Sequence, residues 1–288
     1  MKLLAFAPLS AVGMKLTEFH KAGSEMGNSV RMPILFVGHG SPMNAIEQNE
    51  FSAYWSKLGK ELPKPSAIVC ISAHWETRGT FITAMQKPKT IYDFAGFPQA
   101  LFDVQYPALG SPEIAALAIE SISKTAILKD HEWGLDHGCW SVLNQMYPDA
   151  DISVLQLSLD YTKPMSYHLE LAKELSFLRD KGVLIMGSGN MVHNLGKLNW
   201  SNPNSGFDWA IEANEGMKEM INTGNFAELT EIRSKGQAYQ LSVPTPEHYL
   251  PLLYTLGLKN REDELSFFND KLQMGSISMT SLMFNKIV

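Results

Sequence analysis

The sequence predicts an α/β fold: one domain with a central, mostly parallel or mixed sheet flanked by helices. Three observations predict it. The runs Ile34–Val37, Ala67–Ile71 and Val183–Met186 are wholly apolar, as strands covered on both faces must be. Stretches with helical periodicity separate them, the alternation of a layered α/β domain. No internal repeat and no low-complexity linker divides the chain.

The elements follow in order. Ile34–Val37 reads as a buried strand stopping at Gly38, and 47–58 as a helix broken off by Pro63 and Pro65. Ala67–Ile71 is the second strand, ending at Ser72, and 81–85 a third. Residues 91–112 (IYDFAGFPQALFDVQYPALGSP) are too long and irregular for a plain connection, and such loops often carry function. Ser111 caps a helix over 112–123, with Pro112 at its first position. A short helix over 138–146 and a strand over 152–157 come next. Leu169, Ala172, Leu175 and Leu178 mark one face of a helix over 165–181, which Gly182 stops. After the strand 183–186, helices are expected over 207–221 and 226–235. Thr245 and Pro246 are read as the start of a helix reaching Leu256. The tail 276–284 alternates weakly and is expected at a sheet edge.

Composition excludes several classes. Of 288 residues 45% are hydrophobic, which suits a globular chain, and the net charge is −6 with both signs spread along it. No block of basic residues offers a nucleic-acid surface, so no nucleic-acid partner is expected. No apolar run reaches the ~18 residues that span a bilayer, so no membrane partner is expected either. The oligomeric state is not read from the sequence. Two cysteines, Cys70 and Cys139, make neither a disulfide framework nor a zinc-finger spacing. A cytoplasmic location is the expectation. Lys2 and the apolar stretch 3–13 faintly resemble an export signal, but Pro8, a single lysine and a poor cleavage site argue against it. Residues 1–31 are therefore set apart as an N-terminal tail, and 32–288 as the single folded domain.

Eight histidines are present, and three follow strands: His39 after 34–37, His74 after 67–71 and His193 after 183–186. Ligands of α/β sheets bind beyond the carboxyl ends of strands. Each ring alone is more simply a hydrogen-bonded structural residue, but unrelated structural histidines have no reason to gather at strand ends. His248, in Pro246-Glu247-His248-Tyr249, is placed in the first turn of a helix, whose positive pole favours the neutral, metal-ligating imidazole. Glu247 beside it offers either a carboxylate ligand or a helix cap, and the residues leave both open. His137, before a short helix, reads as an acid/base group or a cap. His20, His131 and His168 read as structural. The cluster points to one metal ion: two histidines and a carboxylate suit oxygen chemistry at Fe(II), and three histidines with water suit zinc hydrolysis. There is no His-Glu-x-x-His run, no Gly-x-Ser-x-Gly elbow and no phosphate loop, and Gly187-Ser188-Gly189 lacks the third glycine of a dinucleotide motif.

Six segments then place the chain: GHGSPMNAIE at 38–47, SAHWETRG at 72–79, YDFAGFPQALFDVQYPALGSPE at 92–113, WGLDHGCWSVL at 133–143, GSGNMVHNL at 187–195 and PTPEHYLPLLY at 244–254. Together they resemble the class III extradiol ring-cleavage dioxygenases, in the DOPA 4,5-dioxygenase-like branch. The resemblance implies a non-haem Fe(II) enzyme that opens the ring of a catechol such as DOPA with O2, with Zn(II) able to fill the same site. It implies His39, His74 and His248 as metal ligands, although the broader class has a glutamate at the third position. It implies His193 as catalytic base, and in some states a fourth ligand, and His137 as a second active-site histidine touching substrate. Phe94, Phe97, Phe102 and Tyr106 of the long loop would either wall an aromatic ring or pack in the core. Two rival readings accompany it: a zinc-dependent hydrolase on the same scaffold, and a non-catalytic metal- or aromatic-binding protein.

Overall fold

Alternate side chains of the apolar strands feed two cores, one on each side of a single sheet. The computed structural model describes residues 30–286. Six strands form the sheet: β1 (Ile34–Gly38), β2 (Ala67–Ser72), β3 (Ser153–Gln156), β4 (Val183–Gly189), β5 (Asp263–Phe268) and β6 (Ser281–Lys286), in the order β3-β2-β4-β1-β6-β5. The first four are parallel, while β6 runs antiparallel to both β1 and β5, so the sheet is mixed.

Because strand side chains alternate between faces, Ile34, Phe36, Val69, Ile71 and Ile185 enter one core. Helices α2 (Pro112–Ser121), α4 (Met165–Leu175), α5 (Asp208–Asn222) and α6 (Leu250–Gly257) cover that face. Leu35, Val37, Ile68, Cys70 and Met186 enter the other core, closed by α1 (Glu50–Glu61) and α3 (His137–Met146). The fully apolar runs are explained by this covering of both faces. Arg179, wholly buried, ties the amino-terminal edge together. It makes two 2.7 Å bonds to Asp263 and donates to the carbonyl of Met32 at 2.8 Å. Among the described residues no helix is long and apolar enough to cross a membrane. The apolar stretch 3–13 that faintly resembles an export signal and His20 lie outside the described residues.

Several boundaries differ from expectation for local reasons. Helix α1 begins at Glu50 because the Asn49 side chain caps it in a reciprocal box with Ser52. The expected helix 165–181 becomes 3-10 over Ser176–Lys181, and 226–235 breaks into Phe226–Leu229 and Ile232–Lys235. The tail is no edge: β6 lies inside the sheet, and the edge is β5, which the sequence reading missed. Thr80–Thr83 pairs in parallel with an equally unexpected strand, Ile127–Asp130.

Candidate metal centre

The carboxyl edge of the parallel strands holds the site. His39 leaves β1, His74 follows β2 by two residues, and His193 follows β4 by four. The fourth ring, His248, arrives from the other side of the chain. Sequence reading placed it in the first turn of a helix, but α6 begins only at Leu250, and His248 lies in the turn before it. Pro251 has no N–H to donate to the carbonyl of Glu247, so an α-helical ladder cannot run back through His248. The dipole argument for His248 therefore falls.

What seats His248 is β4. The backbone N–H of Asn190 donates to its carbonyl at 2.8 Å. A Cβ on Gly189 would lie 2.2 Å from that carbonyl oxygen, so only glycine admits the segment there. The glycines of Gly187-Ser188-Gly189 thus serve close packing rather than a nucleotide. Ser188 is the other half of the device. Its hydroxyl donates to the carbonyl of Gly138 at 2.5 Å and lies 3.0 Å from Nδ1 of His39. Having spent its proton, it can only accept, so His39 carries its proton on Nδ1 and presents a bare Nε2.

Asp136, wholly buried, assembles the opposite wall. It caps α3 through the N–H of Cys139 at 3.1 Å, and accepts from Ser72 at 2.7 Å and Gln156 at 2.6 Å. It thus ties β2, β3 and α3 together, and burial, foremost, raises its carboxyl above the ordinary range. His137 is the first residue of α3, and Asp136 takes the capping role sequence reading had allowed it. Gly138 lets α3 come close, since a Cβ there would meet the Ser72 hydroxyl at 2.5 Å.

His39, His74 and His248 offer ligand atoms all within 4.8 Å of one another. Nε2 of His39 lies 3.2 Å from Nε2 of His74. Two imidazoles at about 2.0–2.1 Å from one tetrahedral ion have donor atoms about 3.3 Å apart, so the pair fits a shared cation. Nδ1 of His248 is 3.1 Å from Glu247 Oε1, which leaves Nε2 free and makes the glutamate the ring's partner. His193 stacks on His248 at 3.5 Å between centroids, 9° from parallel, and groups with Glu247 and His248. His137 groups with His74 and Asp93.

Burial, foremost, and the neighbouring rings hold His39 and His248 well below the usual imidazole range. Burial likewise lowers His74 to about 3 and His193 to about 4. These four rings are therefore neutral at pH 7, the state that binds a metal.

The rings open into a cavity of about 610 Å³. Phe94 and Phe97 line one side, and Leu195, Leu198 and Trp200 another. Trp200 is 72% exposed at the mouth. Of the other two aromatics named from the sequence, Phe102 packs on Tyr92 and Phe94, and Tyr106 is a core residue bonded to the carbonyl of Tyr147. His168 is buried against the Tyr254 hydroxyl, His131 is exposed, and both cysteines are free and buried. Asp93 was missed altogether. Its Oδ2 lies 3.2 Å from Nδ1 of His74 and 2.9 Å from Nδ1 of His137. The loop's irregularity was the only signal for it.

Residues 32–284 match the model of the family described as the catalytic LigB subunit of aromatic ring-opening dioxygenase. The chain is similar to a 4,5-DOPA dioxygenase extradiol of Escherichia coli K12, 47% identical over 88% of this chain and 95% of the relative. A protein of the same name from Beta vulgaris is 34% identical over 86% and 95%. Among solved structures, an uncharacterized protein of Escherichia coli K12 superposes with a TM-score of 0.76 at 41% identity, covering 88% of this chain and all of that one.

Proposed function

Because this chain belongs to the LigB family of aromatic ring-opening dioxygenases and is an extradiol ring-cleavage enzyme, we propose that it opens a catechol such as DOPA with O2, using one non-haem Fe(II) ion held by His39, His74 and His248. The observation that carries the ligand assignment is the convergence of three neutral rings, with the Nε2 atoms of His39 and His74 only 3.2 Å apart. Bound there, the ion would acidify a catechol hydroxyl and bring the diol and O2 together.

The chain's own residues do the rest. Phe94 and Phe97 form an apolar wall against which an aromatic ring can lie beside the histidines. His193, stacked on His248 and outside the three-ligand group, accepts the substrate proton. Burial keeps its ring neutral and so free to take up a proton. His137 contacts substrate from the opposite side. Glu47 lines the cleft, and among the described residues no lysine or arginine does, which favours a catechol bearing a cationic group such as the ammonium of DOPA. Family membership displaces the zinc-hydrolase and non-catalytic readings.

The test is oxygen uptake by Fe(II)-reconstituted protein across a catechol panel, with the yellow semialdehyde followed optically. No uptake with DOPA or simpler catechols would sink the proposal. His193→Ala separates base from ligand: retained metal with collapsed turnover marks the base, and lost metal marks a fourth ligand.

A further inference from the structure

Asp93 lies on the loop 91–112 and touches two of the site's rings at once. Its backbone is firmly held: the indole of Trp140 donates to the carbonyl of Ile91 at 2.8 Å, and Tyr92 donates to Val104 at 2.6 Å. The side chain is only 17% exposed. Oδ1 accepts the backbone N–H of His137 at 2.9 Å, which stops the carboxylate from rotating. Oδ2 is thereby left 3.2 Å from Nδ1 of His74 and 2.9 Å from Nδ1 of His137, a close electrostatic contact with each ring, although the approach to His137 is off the axis of a directed hydrogen bond. A carboxylate has no proton to give, so each contact is attractive only if the ring nitrogen carries one. The edge-on contact of Phe94, 5.5 Å from His137 between centroids, limits rotation of that ring.

We propose that Asp93 is a positioning residue that locks His74 and His137 together in their Nδ1–H tautomers, so that both Nε2 atoms face the cavity bare. One carboxylate then serves two duties. It aims a metal ligand, and it makes the ring that meets the substrate a hydrogen-bond acceptor at its tip. The assignment agrees with the opposite side of the site. His39 presents a bare Nε2 3.2 Å from Nε2 of His74, a spacing that suits two ligands of one cation.

The inference rests on the metal-site reading above, but its test needs no turnover. The full-length chain, labelled with 15N at histidine and loaded with zinc, is examined by long-range proton–nitrogen spectra. Both His74 and His137 are expected to show protonated Nδ1. A wild-type spectrum with His137 protonated on Nε2, or with either ring in a tautomer mixture, overturns the proposal without any variant. Asp93→Ala removes the acceptor from both rings at once. It should let His137 pass into the other tautomer and weaken zinc binding by roughly 10- to 100-fold, measured by chelator competition, with the far-ultraviolet dichroism of wild type. Unchanged tautomers in the folded variant, or zinc affinity within two-fold of wild type, overturn it as well. Failure of oxygen uptake with every catechol would fail the substrate reading and leave these spectra to be judged by themselves.

Discussion

Gly189→Ala is a sharp test of how His248 is held. The backbone at Gly189 is outside the left-handed region, so alanine meets no conformational penalty. The added methyl would sit 2.2 Å from the carbonyl oxygen of His248 and 3.1 Å from its carbonyl carbon. Contacts under 3.0 Å are essentially never seen for a real Cβ. Something must retreat by about 1 Å, and β4 cannot, being hydrogen-bonded to β1 on one side and β2 on the other. The turn 245–249 moves instead and carries the imidazole with it. A displacement of about 1 Å in a reacting constellation costs on the order of 100-fold in rate. The expected result is kcat lowered by about two orders of magnitude and metal affinity weakened, with cooperative unfolding retained. Initial rates of oxygen uptake at saturating Fe(II) and metal analysis after dialysis measure both. Activity within three-fold of wild type would refute the claim that β4 seats His248.

Four further outcomes are expected. Ser188→Ala leaves the Nδ1–H of His39 without its acceptor and should weaken metal binding about 10- to 100-fold by chelator competition, with stability lower by about 1–3 kcal/mol in urea. Glu247→Gln should keep most of the metal if His248 is the ligand, whereas His248→Ala should lose it; metal analysis of both variants decides. Glu47→Gln should raise KM for DOPA by about two- to five-fold and leave KM for an uncharged catechol unchanged. The buried His168 ring is depressed to about 4 by burial, from an unfolded value near 6.5. The unfolded chain therefore binds the extra proton, so the stabilisation is complete above about pH 6.5 and is lost as pH falls towards 4. Urea unfolding at pH 7 and pH 5 should show wild type losing about 2 kcal/mol more than His168→Gln, and parallel losses would contradict this account.

Three of the four parallel strands were legible because burial on both faces leaves long apolar runs in β1, β2 and β4, broken only near their ends. The histidines at their ends were legible for a related reason, since strand ends stand out wherever such a run stops. What stayed hidden depends on contacts distant in sequence. β5 reads DELSFF and is half exposed, so nothing in its pattern separates it from a loop. The position of β6 inside the sheet follows from pairing with β1, a partner far away in the chain. Asp93 escaped notice because a carboxylate in a polar loop has no periodicity to betray it. Its meaning comes from His74 and His137, which reach it from two other elements. The start of the helix at His248 was misjudged because Thr245-Pro246 imitates a cap, while Pro251 five residues on postpones the true first turn.

The placement of β6 beside β1 also bears on how the protein is made. Ile34 pairs with Phe284, so the strand that leads into His39 waits for a neighbour translated about 250 residues later. At about 5–20 residues per second, that interval is on the order of 10–50 seconds. Until then the β1 edge lacks its β6 partner on a nascent chain whose Ile34–Val37 run is wholly apolar, the kind of open edge on which another chain can pair.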